Sequence, residues 1–213
     1  MTTNESFPKF DLPVDFIADD SITGDILNYY GNFPCKIKAG VFVLCTEGMV
    51  RATINLLEIV IRKNDFIVVL PNSFIQIHEV SSDTRISFAG FSSDFMLSGN
   101  YVEILLDFMP MILNSPVISL QEDVAGLYRN VYLLLIRAYT LPHSLENKEI
   151  IRSVLAIFLQ GTKELYKRYG KKLDEPLRRE QELYRQFIQL LMVHYTKEHE
   201  VAFYAEKCGV TAA

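Results

Sequence analysis

The sequence predicts an α+β fold, an antiparallel β-sandwich or small barrel followed by a helical half. Three observations carry this. Between residues 22 and 92, short apolar and β-branched runs recur with turn residues between them. From Ser93 onward, apolar residues repeat at three- and four-residue spacing, the period of helices packed on one face. The links between the strand candidates are too short for parallel crossovers, which need about a dozen residues or more.

Residues 1–20 hold Phe7, Phe10 and Phe16 among Pro8, Pro13 and several aspartates, and read as an extended arm that docks its aromatics on the following domain. The first strand is expected at Ile26 to Tyr30, closed by Gly31-Asn32. Lys36 to Cys45 follows, ending at Thr46-Glu47-Gly48, a hairpin turn in which Gly48 takes positive φ. Met49 to Asn55 and Leu56 to Arg62 come next, then the polar turn Lys63-Asn64-Asp65. Phe66 to Leu70 ends at Pro71-Asn72-Ser73, Phe74 to Val80 ends at Ser81-Ser82-Asp83, and Arg85 to Phe91 completes the set.

In the helical half, Phe95 to Leu106 reads as one or two short helices ending before Pro110. Ser119-Leu120-Gln121-Glu122 has the S-x-x-E form of a capping box. It would open a helix with Val124, Leu127, Tyr128, Val131, Leu134, Leu135 and Ala138 inward, stopped at Leu141-Pro142. The next helix spans Lys148 to Tyr169, with Ile151, Leu155, Phe158, Leu165 and Tyr166 inward and Gly170 past its end. A basic connector, 171–176, leads to a helix near Arg179 to Tyr195 and a last one at Val201 to Cys208. The two long helices offer more apolar surface than one sheet takes up. They either pair with a second copy of the chain or pack on each other and the sheet.

Charge divides the same way. The 213 residues carry a net charge of −5. Residues 1–118 hold 7 basic and 14 acidic side chains, whereas 119–213 hold 14 and 12. The acidic half is a poor surface for phosphates. Cys35, Cys45 and Cys208 are an odd number at wide spacing with no C-x-x-C, which points to reduced thiols and a cytoplasmic setting. The N-terminus has no signal-peptide pattern, and runs such as Val131 to Ile136 are too short to span a bilayer, so no membrane association is expected.

The chemistry-bearing residues are sparse. His78 is the lone histidine of the strand region, and adjacent strand residues face opposite ways, so His78 and Glu79 are not expected to share a ligand. With no H-x-H, no G-x-S-x-G and no phosphate-binding glycine loop, neither a metal, a cofactor nor a catalytic centre is expected. Gln76 and His78 share a strand face with Phe74. If that face points inward they could hold a small effector, and if outward they are solvated while Ile75 and Ile77 fill the interior. Arg51 and Arg85 are further candidates on the same terms.

The chain's end reads V-A-F-Y-A-E-K-C-G-V-T-A-A. Ala205, three residues, then Gly209-Val210 is the pattern of the first half of a helix-turn-helix: a small residue where the second helix crosses, a glycine for positive φ, and an apolar anchor. The same letters also describe an ordinary helix C-cap.

K-I-K-A-G-V-F-V-L-C-T-E-G-M-V-R-A-T-I-N (36–55), N-D-F-I-V-V-L-P-N-S-F-I-Q-I-H-E-V (64–80) and F-A-G-F-S-S-D-F-M (88–96) resemble the cupin-like sensor of AraC family transcriptional regulators of the Bacteroidetes type. F-I-Q-L-L-M-V-H-Y (187–195) and V-A-F-Y-A-E-K-C-G-V-T (201–211) resemble the first two helices of that family's DNA-binding domain. The family pattern continues into S/T-P-x-x-L-S, from which this chain departs at Ala212-Ala213. The resemblance implies a cupin-like β-barrel or jelly roll at 21–118, a helical linker and dimerisation region at 119–175, and at 176–213 the start of a helix-turn-helix domain, truncated within its first unit. It implies a homodimer, a sugar or metabolite as effector, and DNA as the partner of the full-length protein. Ala205, Gly209 and Val210 match the family's scaffold positions, not its base-reading ones. The alternatives are a cupin-type metal-dependent enzyme, which metal analysis would reveal, and a dimerisation module without effector.

Overall fold

The computed structural model describes residues 9–29, 34–97, 101–140, 148–170 and 197–211, together with positions 179, 183, 186, 187, 190, 191 and 194. Phe7, the Gly31-Asn32 turn, Leu141-Pro142 and the 171–176 connector lie outside the described residues. So does most of the helix expected near Arg179 to Tyr195, although its described positions are helical.

In chain order the elements are β1 (Lys9–Phe10), β2 (Phe16–Thr23), α1 (Gly24–Tyr29), β3 (Cys35–Ile37), β4 (Gly40–Glu47), β5 (Met49–Ile54), β6 (Leu57–Arg62), β7 (Asp65–Val69), β8 (Ser73–Val80) and β9 (Arg85–Phe91). Then come α2 (Ser93–Leu97), α3 (Tyr101–Asn114), β10 (Val117–Ser119), α4 (Glu122–Thr140), α5 (Lys148–Tyr169) and a final helix, α6 (Val201–Lys207). The strands form two five-stranded sheets, ordered β1-β3-β8-β5-β6 and β10-β7-β4-β9-β2. Every pairing is antiparallel except the short β1–β3 contact. The fold is thus α+β as expected, with a sandwich in place of a closed barrel. Among the described residues no hydrogen-bonded strand joins one sheet to the other, so each keeps two edge strands.

Alternation along the second sheet separates two cores. Phe42, Leu44, Phe66, Val68, Ala89 and Phe91 face the helices, where they pack with Phe108, Tyr128, Tyr132, Leu155, Phe158 and Tyr166. Cys45, Ile67, Val69 and Ile86 face the first sheet, against Val50, Ala52, Ile54 and Ile61. Phe158 is the hub of the helical core, with ring centroids 5.0 Å from Phe42, 5.7 Å from Tyr132 and 5.9 Å from Tyr128.

Several local expectations change. Of the strand expected at Ile26 to Tyr30, residues 26–29 fall in α1 and Tyr30 lies outside the described residues; a short apolar run carries no period that distinguishes strand from helix, and Asp25 sits favourably in the first turn. Lys36 to Cys45 divides into β3 and β4, which belong to different sheets, and the chain crosses at Lys38-Ala39 with Lys38 N–H donating to the Phe10 carbonyl at 2.7 Å. Phe16, placed in the arm, is a core residue of β2, which pairs with β9. Between β5 and β6, Asn55 and Leu56 form a two-residue turn with φ of 47° and 71°, the sign pair that suits strand twist.

The helical half is corrected as well. α3 runs through Pro110, since buried Phe108, Met109 and Ile112 hold both sides of the lost hydrogen bond in the core. β10 is an additional strand, paired with β7. The capping box does not form, because the Ser119 hydroxyl donates to Asp65 Oδ1 at 2.6 Å and Glu122 accepts from Asn64 and Arg129. α4 is also rotated relative to its expected stripe. Ala125, Tyr128, Tyr132 and Leu135 are buried, while Leu127 and Leu134 are 61% and 58% exposed. α5 has the expected bounds, with Leu155, Phe158, Leu165 and Tyr166 buried.

Candidate functional site

The outer face of the first sheet gathers most of the polar candidates. Arg51 on β5 lies between Glu58 of β6 and Glu79 of β8, at 3.4 and 3.3 Å. Next to it Thr53 Oγ1 and His78 Nε2 are 2.7 Å apart. Phe74 and His78 are exposed and Gln76 is half-buried, while Ile75 and Ile77 pack into the inter-sheet core. This is the outward alternative for that strand face. The register of β5 against β8 shifts between Arg51 and Ala52, which pair with Glu79 and Ile77. The bulge puts His78 and Glu79 together on the exposed side, contrary to the simple alternation expected of neighbours.

Arg85 stands apart from these residues. It begins β9 in the other sheet, and its Nε is 3.4 Å from Glu47 at the end of the β4–β5 hairpin. The four candidates therefore do not converge on one site. The hairpin itself matches expectation, with Gly48 at φ 78°. A Cβ there would lie 2.5 Å from the Thr84 Cα, so the close approach also requires glycine.

A cavity lined in part by Ile54, Asn55, Leu57, Ser73, Ile112 and Pro116 has a volume of about 10 Å3, room for a single water. Its polar groups are already engaged: Asn55 accepts from Phe74 N–H at 2.8 Å and donates to Ser73 Oγ at 2.9 Å. Among the described residues the helical core holds the buried tyrosines Tyr101, Tyr128, Tyr132 and Tyr166. Burial pushes the Tyr128 phenol up to about 12 despite its hydrogen bond with Thr162, and raises Tyr132 and Tyr166 further. Tyr166 OH donates to the Pro116 carbonyl at 3.0 Å. Cys45 is driven up to about 11, first by desolvation and then by Asp65, so its thiol stays protonated and unreactive at neutral pH. Among the described residues no group of three or more His, Cys, Asp or Glu is placed to hold a metal ion. Among the same residues no helix is long and apolar enough to cross a membrane.

α6 packs on the segment before it. Tyr204 meets Phe187 at 5.7 Å, Phe203 meets His194 at 5.3 Å, and Tyr204 OH donates to the Glu198 carbonyl at 2.7 Å. Ala205 is buried, and Gly209 takes φ 67°. Val210 N–H bonds the Ala205 carbonyl at 2.9 Å and Gly209 N–H the Glu206 carbonyl at 3.0 Å, the two bonds of a Schellman cap. Val210 is 38% exposed, so it does not anchor the turn in a core as expected: the cap turns its side chain outward.

No family model matches the chain, and no curated protein matches it. Solved structures that resemble it include the AraC-like transcriptional activator CuxR, at 8% identity and a TM-score of 0.48 over 82% of this chain and 58% of that one. ToxT from Vibrio cholerae gives 12% identity and a TM-score of 0.41 over 93% of this chain and 72% of the other. ToxT of Vibrio cholerae strain SCE256 with an unsaturated fatty acid bound gives 9% identity and a TM-score of 0.37 over 95% and 71%. This chain thus spans less than two thirds of the length of CuxR.

Proposed function

We propose that this chain is the effector-sensing and dimerisation part of an AraC-type DNA-binding transcriptional regulator. The observation that carries the reading is α6 packed on Phe187 and His194, with Ala205 buried and Gly209 at φ 67°. A buried small residue and a positive-φ glycine are two of the three features that the first half of a helix-turn-helix requires, the apolar anchor at Val210 being exposed here. This helix stands in one chain with an antiparallel sandwich and two long helices, in the order the family resemblance implies.

Each part then has a role. The sandwich senses, α4 and α5 link and pair, and α6 begins the DNA-binding head in a cytoplasmic, non-enzymatic protein. The effector is a small polar molecule such as a sugar or metabolite. Its contacts are proposed at Gln76, His78 and Arg51, which share the outer face of the first sheet; Arg85, in the other sheet, lies outside that group. The helix that would enter the major groove follows the turn at Gly209, and only four residues of this sequence lie beyond it. Residues 1–213 alone are therefore expected to bind duplex DNA weakly, without sequence preference and with strong salt sensitivity. A fluorescence anisotropy titration against upstream and scrambled duplexes checks this. Tight binding to one of them alone would overturn the division of roles.

A further inference from the structure

Among the described residues four strands end the two sheets, and β6 differs from the other three. β1 is two residues long and β10 three. β2 is longer, but its pairing with β9 breaks between Asp19 and Ile22, and Asp19 and Asp20 stand at the break. Shortness, breaks and charge keep edge strands from pairing further. β6 instead has six residues in unbroken register with β5, from the pair of Ile54 with Leu57 to that of Met49 with Arg62. Its backbone is open as well. Asn55 N–H donates to the Phe74 carbonyl at 3.0 Å, so odd positions at this end of β5 bond to β8 and even ones to β6. Leu57, Ile59 and Ile61 therefore bond to β5, while Glu58, Val60 and Arg62 turn their N–H and C=O groups to the free edge. Arg62 N–H is used there, by Asp65 Oδ2 at 2.7 Å. Among the described residues nothing bonds the backbone groups of Glu58 or Val60 on that side.

We infer that β6 is an association edge and that its occupant is β6 of a second copy, antiparallel about a two-fold axis at Val60. The argument is the strand's self-complementarity. Exposed Glu58, Val60 and Arg62 share its outer face, and Leu57, Ile59 and Ile61 share its inner one. With Val60 opposite the second copy's Val60, Glu58 faces the second copy's Arg62 and Ile59 the second copy's Ile61. Acid then meets base and valine meets valine outside, while isoleucine lies beside isoleucine inside. Val60 N–H donates to the second copy's Val60 carbonyl and Glu58 N–H to its Arg62 carbonyl, and the symmetry makes each bond twice. Parallel pairing would set Glu58 on Glu58 and Arg62 on Arg62. A shift of the antiparallel register in either direction parts Glu58 from Arg62. Arg62 forms no ion pair within the chain among the described residues, and the Glu58 side chain, 68% exposed beside Arg51, has room for a second partner. This edge uses no residue of α4 or α5. It therefore goes beyond the dimer reading and joins paired copies into larger assemblies.

Sedimentation of residues 1–213 over a range of concentrations tests this. Species larger than a dimer are expected as concentration rises. Val60→Pro removes an N–H that β5 does not use, so the hairpin is kept, and it should weaken that step at least ~10-fold through the symmetric pair of lost bonds. Arg62→Glu and Glu58→Arg should each weaken it as well. An equimolar mixture of those two variants should recover it, which a misfolded strand could not do. With Cys35 and Cys208 replaced by serine, Val60→Cys should cross-link to its copy on oxidation and Glu58→Cys should not. A chain no larger than a dimer at every concentration, with or without Val60→Pro, overturns the edge and leaves the dimer reading intact. A dimer that falls to monomer with Val60→Pro supports the edge and overturns pairing through the helices. A mixture as weak as its two parts overturns the pairing of Glu58 with Arg62, and equal cross-linking at positions 58 and 60 overturns the register.

Discussion

The two sheets of one sandwich carry different burdens. The second sheet is covered on both faces, and all five residues of β7 are buried. The first is covered on one, so β6 alternates between half-buried and exposed positions until Ile61. Its outer face spends side chains on solvated contacts such as Arg51 with Glu58 and Glu79. Stability is therefore concentrated where the second sheet meets the helices, and freedom to change chemistry lies on the outer face of the first.

The largest effect that would break this contrast lies at Phe158. Replacing it with alanine empties the hub of the helical core and is expected to cost about 3–5 kcal/mol in denaturant unfolding. A loss below about 1 kcal/mol would remove the helix-covered core from its central place. Gly48→Ala comes next, because φ 78° and the Thr84 backbone both oppose a Cβ; about 2 kcal/mol or more is expected. Asp65→Ala removes the acceptor for Arg62 N–H at 2.7 Å and for the Ser119 hydroxyl at 2.6 Å, which ties β7 to β10; about 1–3 kcal/mol should be lost. Leu56→Gly should raise stability by roughly 0.5–1 kcal/mol, since an exposed leucine there holds φ 71° for no packing return.

The smallest effects are electrostatic. Arg51→Ala should change stability by no more than about 0.5 kcal/mol, because the pairs are solvated. Glu122 is held below the usual carboxylate value of 4.5 chiefly by hydrogen bonds from Arg129 and Asn64. A lowered value means its contribution is present at neutral pH and is lost as pH falls below 4.5 through the folded-state value. Glu122→Gln should flatten that acid limb slightly, as read from melting midpoints across pH.

The contrast also explains what the sequence could and could not reveal. β7 is legible because F-I-V-V has no polar position, as a doubly covered strand requires, and Gly48 because a tight hairpin demands positive φ. α5 is legible because Leu155, Phe158, Leu165 and Tyr166 recur at helical spacing on its buried face, with Ile157 left 72% exposed. α4 is not, since it carries two apolar stripes, one through Tyr128, Tyr132 and Leu135 and one through Leu127 and Leu134. Periodicity cannot say which stripe is buried; the aromatic ring volume required beneath Phe158 decides it. The His78–Glu79 bulge was invisible for a related reason, because a bulge is set by register against β5 and leaves no mark in local alternation. Of the candidate site, the sequence left the face of Gln76 and His78 open between inward and outward, and the packing of Ile75 and Ile77 in the inter-sheet core decides it. The separation of Arg85 from Arg51 depended on which sheet each strand joins.

The claim that the sandwich is a sensor is tested most directly by thermal unfolding of residues 1–213 across a panel of sugars and small polar metabolites. A ligand that binds the folded chain alone raises the midpoint in proportion to the logarithm of its concentration above Kd. At least one member should do so, and Arg51→Ala should abolish that shift without moving the ligand-free midpoint. A panel that leaves the midpoint unmoved, with the chain still sedimenting as a dimer, would contradict sensing and leave a pairing module.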